Sequence, residues 1–90
     1  MEILNDSFLL TESLKDLCNR LSAIYSNLET EEENKGNSNT LLIAEYEKKA
    51  IFFHAEYKNL DIFKDNETMV FYIKKYKTFW DNLSSKKWEN

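Results

Sequence analysis

Proline is absent from the 90-residue chain, and glycine occurs once, at Gly36. Because many tight turns need these two residues, their scarcity argues against folds made of many short strands and turns, such as sandwiches and barrels. Cysteine also occurs only once, at Cys18, so no internal disulfide can support the fold. With no glycine-rich loop, the chain also lacks a phosphate cradle and a dinucleotide-binding motif.

The composition that is present belongs to a globular protein. Hydrophobic residues make up 42% of the chain, charged residues 31% and aromatic residues 14%. Ninety residues suffice for one domain, so we expect a single helical domain over 1–90. The net charge of −4 argues against non-specific nucleic-acid binding, which depends on neutralising phosphates.

The N-terminal segment offers no targeting signal. MEILNDSFLL carries acidic residues where a signal peptide has a basic region, and its apolar stretch is short. No run approaches the roughly 20 apolar residues of a membrane span. We therefore expect a cytoplasmic protein that does not interact with membranes.

Three segments place apolar residues alternately three and four positions apart, which is the spacing of one stripe along an α-helix. The stripes are Leu10, Leu14, Leu17, Leu21, Ile24 and Leu28; Ile43, Tyr46, Ala50, Phe53, Tyr57 and Leu60; and Met69, Ile73, Tyr76, Trp80 and Leu83. The pattern predicts an all-α, coiled-coil-like three-helix bundle of up-down-up topology, with helices over roughly 7–30, 39–61 and 66–85.

Helix boundaries follow from capping residues. Asp6, Ser7 or Thr11 would cap the first helix, Ser38 or Asn39 the second, and Asp65 or Asn66 the third. Since no glycine or proline separates the second and third segments, a continuous bent helix is the alternative there.

The second helix carries an additional apolar line beside its stripe, formed by Ala44, Ile51, Ala55 and Ile62. A helix that is apolar on two sides is usually buried between neighbours, which predicts the second helix at the centre of the packing. A chain of this size buries only about 60–65% of its unfolded surface, so dimerisation would add stability.

Catalytic signals are sparse. His54, the sole histidine, is two positions from Glu56, and residues so spaced on a helix point apart. One histidine and one cysteine are too few for a closed zinc site, so we expect no metal and no cofactor. We interpret His54 as partly buried at a helix interface and Cys18 as a small core residue. Enzymatic activity would require His54 to meet acidic residues of other helices in a pocket.

More large apolar residues are present than the three stripes need. Those outside the stripes are Leu41, Phe52, Phe63, Phe71, Phe79 and Trp88. They either widen the core or form a partner-binding surface, because exposed apolar patches and aromatic anchors mark interaction sites. Phe52 and Phe71 are the best candidates for contact, and Leu41 and Phe79 are further candidates.

The first helix is expected to fray into a loop within the acidic run of Glu29, Glu31, Glu32 and Glu33. Such a loop is either simply solvated or steers a basic partner toward the protein.

The sequence thus predicts a non-enzymatic helical protein that binds and masks another protein, anchored by exposed aromatics and steered by the acidic loop. In size, charge and helicity it resembles small immunity factors, secretion chaperones and inhibitors, although no motif specific to one family is present. A self-associating homodimer with no outside partner is the alternative.

Overall fold

Three α-helices and one short 3₁₀ helix account for most of the chain. The computed structural model describes residues 7–88, and of 84–88 the backbone only. The elements are α1 (Ser7–Glu33), α2 (Thr40–Glu56), the 3₁₀ helix (Leu60–Phe63) and α3 (Asn66–Trp88), and no strand occurs between residues 7 and 88. The predicted all-α three-helix bundle is confirmed. The capping candidate Asp6 and the side chain of Trp88 lie outside the described residues.

Helix α1 is longer than the sequence predicts. It begins at Ser7 and continues through the acidic run to Glu33, so the expected fraying from Glu29 onward is wrong. Thr11 does not start the helix but lies within it, and its hydroxyl donates to the Ser7 carbonyl at 2.7 Å. The acidic residues are therefore held on the last turns of a helix and not in a loop.

Helix α2 begins where predicted and ends earlier. The Asn39 side chain caps it by accepting from the backbone N–H groups of Leu41 and Leu42, each at 3.1 Å. The helix ends at Glu56. After it, the Asn59 side chain accepts from the Asp61 N–H at 3.0 Å and caps the start of the 3₁₀ helix. The predicted end at residue 61 and the continuous second-to-third helix are both wrong.

Helix α3 starts at Asn66, in agreement with the prediction. Asp65 accepts from the Thr68 N–H at 2.7 Å, which satisfies one of the free donors in the first turn. This bond lowers the pKa of Asp65.

Contacts divide the chain into two units, and the boundary falls inside α1. The first unit contains α1 up to Leu17, the 3₁₀ helix and α3. Here α1 and α3 run in the same direction, because Ser7 bonds to Asn66 at 2.7 Å and Thr11 lies 3.4 Å from the Met69 sulfur. The buried side chains of this unit are Leu10, Leu14, Ile62, Met69 and Tyr76.

The second unit, Cys18–Lys58, pairs the rest of α1 with α2. The helices are antiparallel: the Ser22 hydroxyl donates to the Ala50 carbonyl at 3.0 Å, and further along α1 the Tyr25 ring lies 6.2 Å from that of Tyr46. The rings of Tyr25 and Phe53 stack with 3° between their planes and centroids 6.0 Å apart.

The buried stripe of α1 is shifted from the predicted one in its second half. Cys18 and Tyr25 are buried, whereas Leu17 and Ile24 beside them are only half-buried. The prediction that Cys18 is a small core residue is confirmed. The same spacing of three and four continues from Tyr25 to Leu28 and Glu32, so a charged residue takes the last buried position.

The predicted central position of the second helix is wrong. It is α1 that packs against both other helices, through its first half against α3 and through its second half against α2. Of the additional apolar line, Ile62 is buried, whereas Ala44, Ile51 and Ala55 are exposed. Tyr57 and Leu60, predicted to be in the stripe of the second helix, are 36% and 82% exposed because α2 ends before them.

Candidate protein-binding surface

Helix α2 has an apolar face directed away from α1. Leu41 is 82% exposed, Ile51 62% and Phe52 48%. Ala44, between Leu41 and Ile51, and Ala55, after Phe52, are exposed as well. At 100° per residue these five positions fall on one side of the helix, with Lys48 in their midst. We call Leu41, Ala44, Lys48, Ile51, Phe52 and Ala55 the outer strip. It is the longest exposed apolar line on any helix in the described part of the chain.

Two adjacent phenylalanines, Phe52 and Phe53, lie on different faces of α2. Phe53 is 1% exposed and stacks on Tyr25, whereas Phe52 is turned outward. Their rings meet edge to face, 5.1 Å apart and at 80°. Packing of Phe53 in the core therefore fixes the direction in which Phe52 is presented.

The other predicted contact residues differ in how exposed they are. Phe71 is 59% exposed on the face of α3 opposite the buried Met69 and Tyr76, as expected, and its ring meets that of Tyr72 at 5.1 Å. Phe79 is half-buried and its ring lies 6.3 Å from that of Tyr76. Phe79 thus belongs in part to the core. Phe63 is half-buried as well.

The acidic end of α1 is not uniformly exposed. Glu31 and Glu33 are exposed, but Glu32 is only 6% exposed. The Glu32 carboxylate accepts from the Lys35 ammonium and from the Asn39 backbone N–H, each at 2.9 Å. These hydrogen bonds lower the pKa of Glu32. Its charge is committed to the α1–α2 connection, so only Glu31 and Glu33 are available to a partner.

His54 is exposed, contrary to the expectation of partial burial, and lines a shallow depression of about 280 Å³ between α1 and α2. Glu29, Glu47, Ser22 and Ser26 are also on its walls. The Glu29 carboxyl group lies beside that of Glu47. Desolvation, the charges of Glu47 and Glu33, and a hydrogen bond that the protonated group makes to Glu47 raise the pKa of Glu29. The Ser22 hydroxyl donates to the Ala50 carbonyl, so it is not poised as a nucleophile toward a base.

Cys18 is fully buried beside the buried carboxyl group of Glu56. Burial, and secondarily the charge of Glu56, raise the pKa of this thiol to about 12. A thiol of that pKa carries almost no thiolate at neutral pH, and the thiolate is the reactive form.

The structure distributes the predicted contact residues over the two units. Leu41 and Phe52 share one surface of the second unit, and Phe71 lies in the first unit. Ala44, Ile51 and Ala55 were expected in the interior and instead belong to the exposed surface. Their spacing with Leu41 and Lys48 is the signal that could have identified the outer strip as a second helix-pairing stripe.

Comparison with known proteins gave no match to any family model, curated protein or solved structure. No helix within the described residues is both long enough and apolar enough to cross a membrane. Over the same residues, no three His, Cys, Asp or Glu side chains are grouped so that they could hold a metal ion.

Proposed function

We propose that this chain is a non-enzymatic protein-binding protein that covers a surface of another polypeptide with the outer strip of α2. The observation that carries the proposal is the exposure of Leu41, Ile51 and Phe52 on one face of a helix whose opposite face is already packed. Contiguous exposed apolar patches are uncommon on proteins that act alone, and aromatic side chains often anchor interfaces.

Helix-on-surface binding also fits the chemistry of the strip. A helix recognises a partner through side chains at positions i, i+3, i+4 and i+7, which lie on one face. Leu41, Ala44 and Lys48 have this spacing, as do Lys48, Ile51 and Ala55. The alanines admit close approach of a partner, while Leu41, Ile51 and Phe52 supply most of the apolar area.

Phe71 is the second anchor named by the sequence, and we keep it as a secondary candidate. Over residues 66–83 of α3, Phe71 is the only large hydrophobic residue that is exposed. One exposed apolar side chain is common on soluble proteins and by itself indicates no interface. The outer strip, with several such residues, is therefore the stronger surface.

Glu31 and Glu33 would steer a partner whose surface is basic. Exposed like charges accelerate association with an oppositely charged surface and are screened by salt. Replacing both with glutamine would then slow association at low salt and leave dissociation nearly unchanged. A partner without a basic surface would be insensitive to this change.

Photo-cross-linking in the cells that produce the protein tests the proposal. Benzoylphenylalanine in place of Phe52 should yield a covalent adduct with another polypeptide, and the same residue in place of the exposed Lys77 of α3 serves as the control. Adding Ile51→Ser, at an exposed position that spares the core, should remove the adduct. Absence of any adduct from position 52, or equal adducts from both positions, would overturn the proposal. Fractionation of the same cells checks the predicted cytoplasmic location.

A further inference from the structure

The outer strip has the repeat of a coiled-coil stripe. Leu41, Ala44, Lys48, Ile51 and Ala55 are spaced three, four, three and four residues apart, and all five are exposed. This is the a/d pattern by which one helix packs along another. The core-facing stripe of the same helix, from Ile43 to Phe53, has equal spacing and is occupied by α1. Helix α2 thus carries two pairing stripes on opposite faces.

Lys48 restricts how the strip can be covered. It is the only charged residue among the five stripe positions and lies at their centre. A single polar residue in such a stripe costs stability and selects one register and orientation. The partner must offer a small residue opposite the lysine stem, together with acidic groups that the ammonium can reach as the stem lies along the apolar surface.

Helix α2 itself meets these requirements. In an antiparallel pair of two α2 helices, a positions face d positions, and Lys48 lies opposite Ala44 of the second copy. Glu45 follows Ala44 and is exposed, so the ammonium has a carboxylate within reach. A parallel pair would instead place the two lysines opposite each other, where like charges repel.

The ends of the strip are self-complementary in the same register. Leu41 of each copy faces Ile51 of the other, and the neighbouring Phe52 ring lies beside that leucine. Each contact therefore occurs twice, as a two-fold symmetric interface requires. Over residues 41–55 the net charge of the helix is zero, with two glutamates and two lysines, so long-range repulsion between the two strips is small.

We infer that the outer strip binds a second copy of this chain as an antiparallel α2–α2 pair, with Lys48 of each copy opposite Ala44 of the other. This inference rests on the proposed function of the strip and names its partner. A strip of fifteen residues is roughly 21 Å long. A pair of such strips buries less surface than a standard interface, which buries about 1,600 Å². The dimer is therefore weak and dissociates when the protein is diluted through micromolar concentrations.

Light scattering on the full chain over a hundredfold dilution tests the pairing. We expect a dimer at high concentration that becomes a monomer. Lys48→Glu, which places a carboxylate beside Glu45 of the second copy, should weaken dimerisation about tenfold or more. Lys74→Glu on α3, an equal charge change outside the strip, should have no effect. Combining Lys48→Glu with Glu45→Lys should restore dimerisation. A monomer at every concentration would overturn the inference.

Disulfide trapping tests the register. Ala44→Cys and Lys48→Cys proteins are mixed and oxidised, and the buried Cys18 does not compete. The inference expects the 44–48 disulfide to predominate over 48–48; predominance of 48–48 would overturn the antiparallel register. If the purified chain is monomeric but benzoylphenylalanine at position 52 captures a different protein, the inference fails while the proposed function stands. If benzoylphenylalanine at position 52 gives no adduct at all, both the inference and the proposed function are wrong.

Discussion

The carboxylate of Glu32, near the end of α1, accepts a hydrogen bond from the backbone N–H of Asn39 at 2.9 Å, and Asn39 is the residue that caps α2. The same carboxylate receives the Lys35 ammonium from the intervening turn. One buried acidic side chain therefore joins the end of one helix, the connection and the start of the next. This relationship gives the α1–α2 hairpin a defined dependence on pH.

Glu32→Gln should lower the melting temperature at pH 7 by several degrees, because an amide cannot accept both charge-assisted hydrogen bonds. The pKa of Glu32 is lower in the folded state than in the unfolded chain, where it is about 4.3. Its stabilisation is therefore present above about pH 4.3 and is lost as pH falls through the folded value. Thermal unfolding of both proteins from pH 7 to pH 2.5 should show the difference shrinking; Glu31→Gln, at the exposed neighbour, is the control. A constant difference across this range would contradict the assignment.

Glu29→Gln should have the opposite effect. The pKa of Glu29 is raised by desolvation and by the charges of Glu47 and Glu33, so the ionised form is disfavoured in the folded state. Its contribution to stability is present below about pH 4.3 and is lost as pH rises through the raised folded value. The glutamine variant, which can still donate to Glu47, should therefore melt higher than the wild type at pH 7 and nearly equal to it at pH 3. Glu12→Gln, an exposed change on the same helix, should shift neither value, and a lower melting temperature for Glu29→Gln at pH 7 would be inconsistent with this explanation.

Phe53→Ala and Phe52→Ala form a matched pair on α2. Truncating the buried Phe53 should cost about 3–5 kcal/mol of the free energy of unfolding, through lost transfer energy and the cavity left beside Tyr25. Truncating the half-exposed Phe52 should cost much less, because its ring is already in part hydrated. Urea unfolding of the two variants at one protein concentration measures both costs. Equal losses would mean that the two faces of α2 are not separated as the structure has them.

Cys18 should be inert toward thiol reagents in the folded protein. Its side chain is fully buried and burial raises its pKa to about 12, so at pH 8 access and thiolate are both lacking. In an Asn19→Cys variant, which adds an exposed thiol at the next position, one equivalent of reagent should react at once and the second only on unfolding. The rate at which each protein releases the coloured thiolate from an aromatic disulfide reagent measures the reactivity of its thiols. Rapid reaction of the wild type would show that Cys18 is accessible.

Helix content and most of the core follow from the sequence because they depend on local periodicity. Leu10, Leu14 and Leu21 on α1, and Met69 and Tyr76 on α3, are predicted and found buried. The cap at Asn39 is one of the two that the sequence predicts, with Ser38, since a side-chain oxygen before an apolar run can bind free amides wherever the helix later packs.

Other features were decided only by tertiary packing. A second apolar line on α2 indicates that something covers it but not whether the cover is within the chain, and the fold leaves Ala44, Ile51 and Ala55 exposed. The Glu32 carboxylate also accepts from the Asn39 N–H across the turn, a contact that no spacing rule predicts. Periodicity determines which residues share a face of a helix. Which face meets a neighbour depends on how the chain returns on itself, and the tertiary structure alone decides that.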